Sequence, residues 1–442
     1  MRLLNGQIRT LLIVLALCLW GTSASAQTSP DQTALGQTVL RGAKVHTVAG
    51  EVIDDAVIVV GKDGKIAAVG GPDTKVPEGA EVVDVTGKVI TPGLVDAFTS
   101  LGVVEIWQTG STVDHAGSGD AVRAAFSVSD GFNPNSVLIP ITRTGGVTSV
   151  VVVPGGGLVS GKAAWARLGA ENGAKQAAFV DDASVAMVVN HGERGARAAG
   201  GSRGAAMESL RELYDDVVFY RDNKEGYDQN RSRKLAASRL DLENLGATLE
   251  QGMPVLFRVN RASDIRVVLK FADEVGLKPI IVGGAEAWQV ADELAERKVP
   301  VVVEPTLNLP ERFEKLGARA DNAALLAEAG VPVVLSTFST HNVRKLRQAA
   351  GNAVRAGMSH TDALEAITAA PARALGRDDI GTVEVGKAAD LVVWSGDPFE
   401  LSTRVERLYV DGAETSLDNN RQHKLFERYR ELPRRGEPAE RD

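Results

Sequence analysis

The residues best suited to metal or proton chemistry are six histidines, and they are dispersed: His46, His115, His191, His341, His360 and His423. No two stand as His-x-His, the spacing that puts two imidazoles on one side of a strand. His115 and His191 fall in loops near carboxylates, STVDHAGSGD and VVNHGERG, and His341 follows the apolar run VPVVLSTFS. With Glu304 they could form a metal site. Dispersed ligands seldom meet in tetrahedral geometry, so loop histidines without a ligand role are the simpler reading. Two carboxylates close apolar runs: Asp96 in VITPGLVDAFTS and Glu304 in VPVVVEP. Either could act as acid or base at a strand end, and either could simply anchor it. GGLVSGKA, Gly156–Ala163, matches the Gly-x4-Gly-Lys part of a phosphate loop, but Ala163 stands where a Ser or Thr would hold Mg²⁺. It reads as a flexible turn whose backbone N–H groups or Lys162 remain available for binding. Trp107 and Gln108 are candidates for a pocket lining.

These residues need a scaffold that gathers strand ends. GVTSVVVVPGG, MPVLFRVN, KPIIVGG, VPVVVEP and VPVVLSTFS are short, nearly continuous apolar runs, the mark of strands buried on both faces of a parallel sheet. Helical stretches such as ASDIRVVLKFADEVG and AEAWQVADELAERK separate them. The repeat is therefore βα and the class α/β. The middle of the chain has the length of a TIM-type (β/α)8 barrel, with an open doubly wound sheet as the alternative; both place chemistry at C-terminal strand ends. Val/Ile-rich strands broken by Gly-Lys and Asp-Gly turns occupy the region from Thr38 to Asp84 and return in IGTVEVGKAADLVVWSG and VERLYVDGAE. That pattern predicts a small split β-sandwich domain built from both ends of the chain. The stretch between Ala170 and Asn230 fits the repeat poorly and reads as an insertion, a Gly/Arg-rich loop followed by a helix.

The chain has 442 residues, enough for one large domain and one small one. At its start, Arg2 and Arg9, the apolar TLLIVLALCLW and the small residues ASA before Gln27 read as a secretory signal peptide. An exported protein, periplasmic or extracellular, is expected. An uncleaved anchor and lipidation at Cys18 are weaker readings, because the apolar run is short and Leu17 is bulky. Cys18 is the only cysteine, so the processed chain would hold no disulfide and no thiolate metal site. The formal charge of −8 falls to −10 when the two arginines leave. Such acidity argues against nucleic-acid binding, and no later run is apolar enough for an integral membrane protein.

Three blocks carry a family resemblance: GKVITPGLVDAF; the run from Pro254 to Pro305; and ITAAPARALG followed by GTVEVGKAADLVVW. On these the chain resembles the metal-dependent amidohydrolase superfamily, in its imidazolonepropionase-like and prolidase-like branch. The resemblance implies hydrolysis of C–N bonds by one or two divalent metals, zinc or similar, at a barrel mouth. There the metal would lower the pKa of bound water to about 7. It also implies ligands: a His-x-His pair after strand 1, a carboxylated Lys or Glu at strand 4, His at strands 5 and 6, and Asp at strand 8. On this sequence the pair falls on Phe98 and Ser100, the strand-5 His on Arg258 with Asn260 two residues on, the strand-6 His on Gly283, and the strand-8 Asp on Phe338. Strand 4 has no clear counterpart. A guanidinium about 4 Å from a divalent ion, at an effective dielectric near 20, repels it by about 8 kcal/mol. The phenylalanines would fill the cavity with apolar volume. The resemblance thus implies an amidohydrolase barrel with its metal centre lost and no cofactor.

The expected organisation is a signal peptide (1–26), a linker (27–37), the first part of the small β domain (38–90), the barrel (91–375), the second part of the small domain (376–417) and a charged tail (418–442). The expected pocket comprises Phe98, Ser100, Trp107, Arg258, Asn260, Gly283, Phe338 and His341, with Arg258, Glu304 and Asp96 as catalytic candidates. The expected function is a degenerate member of this hydrolase class. It would bind a small amide-like or peptide-like ligand, or act as a homo-oligomer or beside an active relative. One alternative is an active C–N hydrolase with a remodelled, metal-free or relocated-metal site, where Arg258 polarises a carbonyl and Glu304 or Asp96 activates water. The other is a structural assembly protein.

Overall fold

The computed structural model describes residues 37–117, 119–169, 178–179, 184–306, 309–418 and 420–430. The expected signal peptide, the linker up to residue 36 and the tail beyond residue 430 lie outside the described residues. Five strands open the described chain: β1 (Thr38–His46), β2 (Val52–Val60), β3 (Ile66–Gly70), β4 (Glu81–Asp84) and β5 (Val89–Pro92). The barrel strands follow: β6 (Leu94–Thr99), β7 (Val147–Val152), β8 (Val159–Arg167) with the short β9 (Ala178–Phe179) at its side, β10 (Ala186–Asn190), β11 (Val255–Val259), β12 (Pro279–Gly283), β13 (Val301–Val303) and β14 (Val333–Leu335).

Eight strands run in the order β6-β7-β8-β10-β11-β12-β13-β14 around a nearly closed barrel. This is the expected TIM-type architecture with one strand reversed. β7 turns directly into β8 through residues 153–158, with no helix between them. A chain that turns without a crossover can only return antiparallel, and β8 is antiparallel to both β7 and β10. The other neighbours are parallel. β6 and β14 are the two ends of the ladder. The seam between them is bridged by the carbonyls of Ala366 and Ile367, which accept Leu335 N at 2.9 Å and Val95 N at 2.8 Å.

Strand alternation decides what faces the barrel axis. Val151, Trp165, Val188, Leu256, Val282, Val302 and Val334 pack into one buried cluster. Residues two further along the strands point the same way, one layer nearer the mouth. By this rule Leu256 predicts an inward Arg258, and Val302 an inward Glu304. The helices outside are amphipathic. Ala262–Val275 buries Ala262, Ile265, Val268, Leu269, Phe271 and Ala272 at three- and four-residue intervals, and ends at Gly276 with φ +83°. The region read as an insertion contains the helices Gly192–Ala198 and Arg203–Asp222. It also contains β10, which is the fourth barrel strand.

The C-terminal end returns as β15 (Leu391–Trp394), β16 (Val405–Val410) and β17 (Ala413–Glu414). Their sheet runs β17-β16-β15-β5-β1-β2-β3, with β4 also on β1, so both ends of the chain build it. It branches at β1, which pairs with β4 from Thr38 to Arg41 and with β5 at Lys44 and Val45. Arg167, ending β8, meets Asp390 and Asp411 and so ties the barrel to this sheet. The described part of the charged tail forms the helix Arg421–Arg430. Among the described residues no helix is long and apolar enough to cross a membrane.

Candidate functional site at the barrel mouth

A cavity of about 340 Å³ opens at the C-terminal strand ends. Phe98, Ser100, Trp107, Arg258, Asn260, Gly283, Glu304 and Phe338 all line it. The barrel therefore brings together eight positions drawn from five separate parts of the sequence. The rings of Phe98 and Phe338 pack at 5.0 Å and make an apolar floor, and the Arg258 guanidinium lies 5.1 Å over the Phe98 ring. Phe338 has φ +48°, a left-handed conformation rare for a bulky residue and frequent at functional sites. The aromatic pair reduces the barrel mouth without plugging it.

Arg258 is the dominant fixed charge of the interior. Among the described residues it forms no ion pair. Burial first, then the like charge of Arg194, pulls the guanidinium down to about 9, with Glu314 opposing; it is still a cation at neutral pH. Glu304 moves the other way. Burial lifts its carboxyl to about 7 against Lys315, and the charge of Asp96 adds to the rise. The two groups do not neutralise one another: Glu314 is the acid acting on Arg258, and Lys315 the base acting on Glu304.

One wall is a polar network absent from the sequence reading. Glu314, in the loop after β13, accepts Glu193 N at 2.8 Å and Asn260 Nδ2 at 3.0 Å. Arg203 reaches Asp264 at 2.7 Å and approaches Glu314 at 3.9 Å. Arg194, Arg312, Lys315, Glu311 and Glu314 all line the cavity, and no local pattern marks them. The strand-4 position, which the sequence left unassigned, is Asn190. Its Nδ2 donates to Gly156 O, Gly157 O and Ser160 Oγ at 3.2, 3.0 and 2.8 Å and fixes the glycine-rich turn. The signal that could have found it is the apolar run VAMVVN, which ends in a polar residue as the other strands do.

Three expected residues lie elsewhere. Asp96 is fully buried and is not part of the cavity wall. It accepts hydrogen bonds from Ser336 Oγ, Thr337 Oγ1, Phe98 N and Thr337 N, so it staples β6 to the segment after β14 across the ladderless seam. His341 is exposed, outside the lining, with Nε2 2.8 Å from Glu105 O. Lys162 stands on β8 and donates to Asn244 Oδ1 at 2.7 Å, so the Gly-x4-Gly-Lys run is the turn into β8 and the start of that strand, and of its residues only Gly156 borders the cavity. Of the six histidines, His115 and His191 line the cavity. Burial lowers both pKa values, for His115 with help from Arg258 and Arg194.

The crystal structure of an amidohydrolase from Thermotoga maritima is 30% identical, with a TM-score of 0.77 over 86% of this chain and 99% of that one. The chain belongs to the amidohydrolase family. The Amidohydrolase family model matches residues 269–416 of the chain. Amidohydrolase tasK of Hapsidospora irregularis is 23% identical over 391 residues, 82% of this chain; the chain spans 39% of that relative's length. A prolidase complexed with N-methylphosphonate-L-proline shares the fold at 16% identity and TM-score 0.55 over 86% of this chain and 99% of that one. As a donor set for a divalent cation, the mouth of this barrel fits poorly. Among the described residues no three His, Cys, Asp or Glu side chains converge. At the strand-6 position, Gly283 has φ +98°, and a Cβ there would stand 2.7 Å from Asn260 Oδ1.

Proposed function

We propose that this amidohydrolase-family protein has lost its metal centre and uses the barrel mouth as a small-molecule site anchored on Arg258. The ligand is small and carries a carboxylate. The observation behind this is the half-buried guanidinium, unpaired among the described residues, in the family's usual reaction cavity. A partly desolvated cation without a counter-ion is costly, and a carboxylate bound bidentately relieves that cost. The sequence of residues 1–26 supports export to the periplasm or beyond.

A second reading is supported by Glu304, whose carboxyl sits near neutrality in the same cavity. In it, Glu304 takes a proton from water as the oxygen attacks an amide carbonyl. Arg258 stabilises the oxyanion, and the proton passes to the nitrogen as the C–N bond breaks. One set of measurements separates the readings. Full-length protein purified with Zn²⁺ is dialysed, its metal content measured, and L-leucine and 4-methylpentanoate titrated by calorimetry into wild type and Arg258→Met. The binding reading expects substoichiometric zinc and carboxylate binding that disappears in the variant. Stoichiometric zinc, or binding unchanged by the substitution, refutes it. Turnover of an amide panel that is lost in Glu304→Gln supports the hydrolase instead.

A further inference from the structure

We infer that the ligand on Arg258 is a zwitterion, a free α-amino acid with an apolar side chain, its ammonium group received by Asn260 and Glu304. This rests on the Arg258-anchored reading and adds the group at the other end of the ligand. Asn260 follows Arg258 by two residues, so both project toward the mouth, and both line the cavity. The orientation of the Asn260 amide is set by its neighbour. Glu314 Oε1 stands 3.0 Å from Nδ2, and a carboxylate only accepts, so the nitrogen must face it and Oδ1 must face away. Oδ1 is buried and has no hydrogen-bond partner among the described residues. A Cβ at Gly283 would stand 2.7 Å from it; glycine at this position spares the oxygen that contact. A buried acceptor of this kind calls for a donor on the ligand.

Glu304 supplies the charge for that donor. Among the described residues its carboxylate is contacted only by Thr306 Oγ1, at 3.5 Å. Its nearest cation, Lys315, is engaged by Glu311 at 2.9 Å. Glu304 and Arg258 do not pair with each other, so each remains free for one end of a small molecule. A carboxylate at Arg258 and an ammonium at Glu304 and Asn260 satisfy all three groups at once. The apolar part of the ligand then rests on Phe98, Phe338, Val153 and Val282, which line the same cavity. The cavity is small, which suits an amino acid better than a longer peptide.

The test uses calorimetric titration of the full chain with four probes: L-leucine, 4-methylpentanoate (no amino group), 3-methylbutylamine (no carboxylate) and N-acetyl-L-leucine (no charge on nitrogen). Leucine is expected to bind about tenfold or more tighter than each of the others, the loss for one charge-assisted hydrogen bond. In the isosteric Glu304→Gln variant, the preference for leucine over 4-methylpentanoate should shrink by several-fold or more. If 4-methylpentanoate or N-acetyl-L-leucine matches leucine in wild type, and binding still needs Arg258, the zwitterion is wrong while the arginine anchor stands. If no probe binds in an Arg258-dependent way, both fail. A leucine preference that survives undiminished in Glu304→Gln also overturns the assignment.

Discussion

Replacing Asp96 by Asn tests the claim that this residue is a structural staple and not a catalytic acid. Two effects compete on its carboxyl. Four donors, from Ser336, Thr337 and the backbone of Phe98 and Thr337, favour the charged form. Complete burial disfavours it. Burial wins, and the pKa rises from 3.8 to about 6. The folded state therefore keeps its proton to a higher pH than the unfolded chain. Stability from this group is greatest below the unfolded pKa and falls as pH rises through about 6. The penalty for the ionised form is about 3 kcal/mol, taking roughly two pKa units at 1.36 kcal/mol each. Asn does not titrate, and the acceptor it removes costs the same at every pH, so the difference between wild type and Asp96→Asn isolates the titration. Urea unfolding followed by circular dichroism between pH 4 and 8 should show wild type gaining about 2 kcal/mol of that penalty relative to the variant as pH falls from 7 to 4, the remainder lying below the unfolded pKa of 3.8. A flat difference, or one of opposite sign, would mean that the four donors outweigh burial.

Two further expectations follow from the same geometry. Arg258→Met should raise the unfolding free energy by about 1 kcal/mol, read as a higher urea midpoint, because it removes an unpaired, half-buried cation at the expense of ligand binding; an unchanged or lowered midpoint would show that the guanidinium is already compensated in the free protein. Gly283→His, which restores the residue type the resemblance implies at strand 6, should destabilise the fold by about 2 kcal/mol, since φ is +98° there and the new Cβ would come within 2.7 Å of Asn260 Oδ1. A histidine variant as stable as wild type, judged by the same denaturation, would show that the strand end adapts freely.

Much of the mouth was legible because a strand writes its geometry into adjacent residues. An apolar run marks a strand, its last residues mark the rim, and a barrel puts all rims on one face. Phe98, Arg258, Gly283, Glu304 and Phe338 could be placed from that rule and the family resemblance, and they share one cavity. The apolar runs, the βα repeat and the two β-rich ends are likewise properties of the sequence alone, since each needs only the local period of hydrophobic residues. What the tertiary structure alone decided depends on pairing between distant segments. β8 runs antiparallel because residues 153–158 turn the chain straight back beside β7, and its other edge is then closed by β10. Asp96 turns away from the cavity because the seam between the first and last strands needed a clasp, a requirement that exists only once the barrel closes. Arg194, Arg312 and Glu314 reach the site from loops whose positions are set by what they pack against, and the open acceptor on Asn260 is defined by a carboxylate that is distant in sequence and adjacent in space.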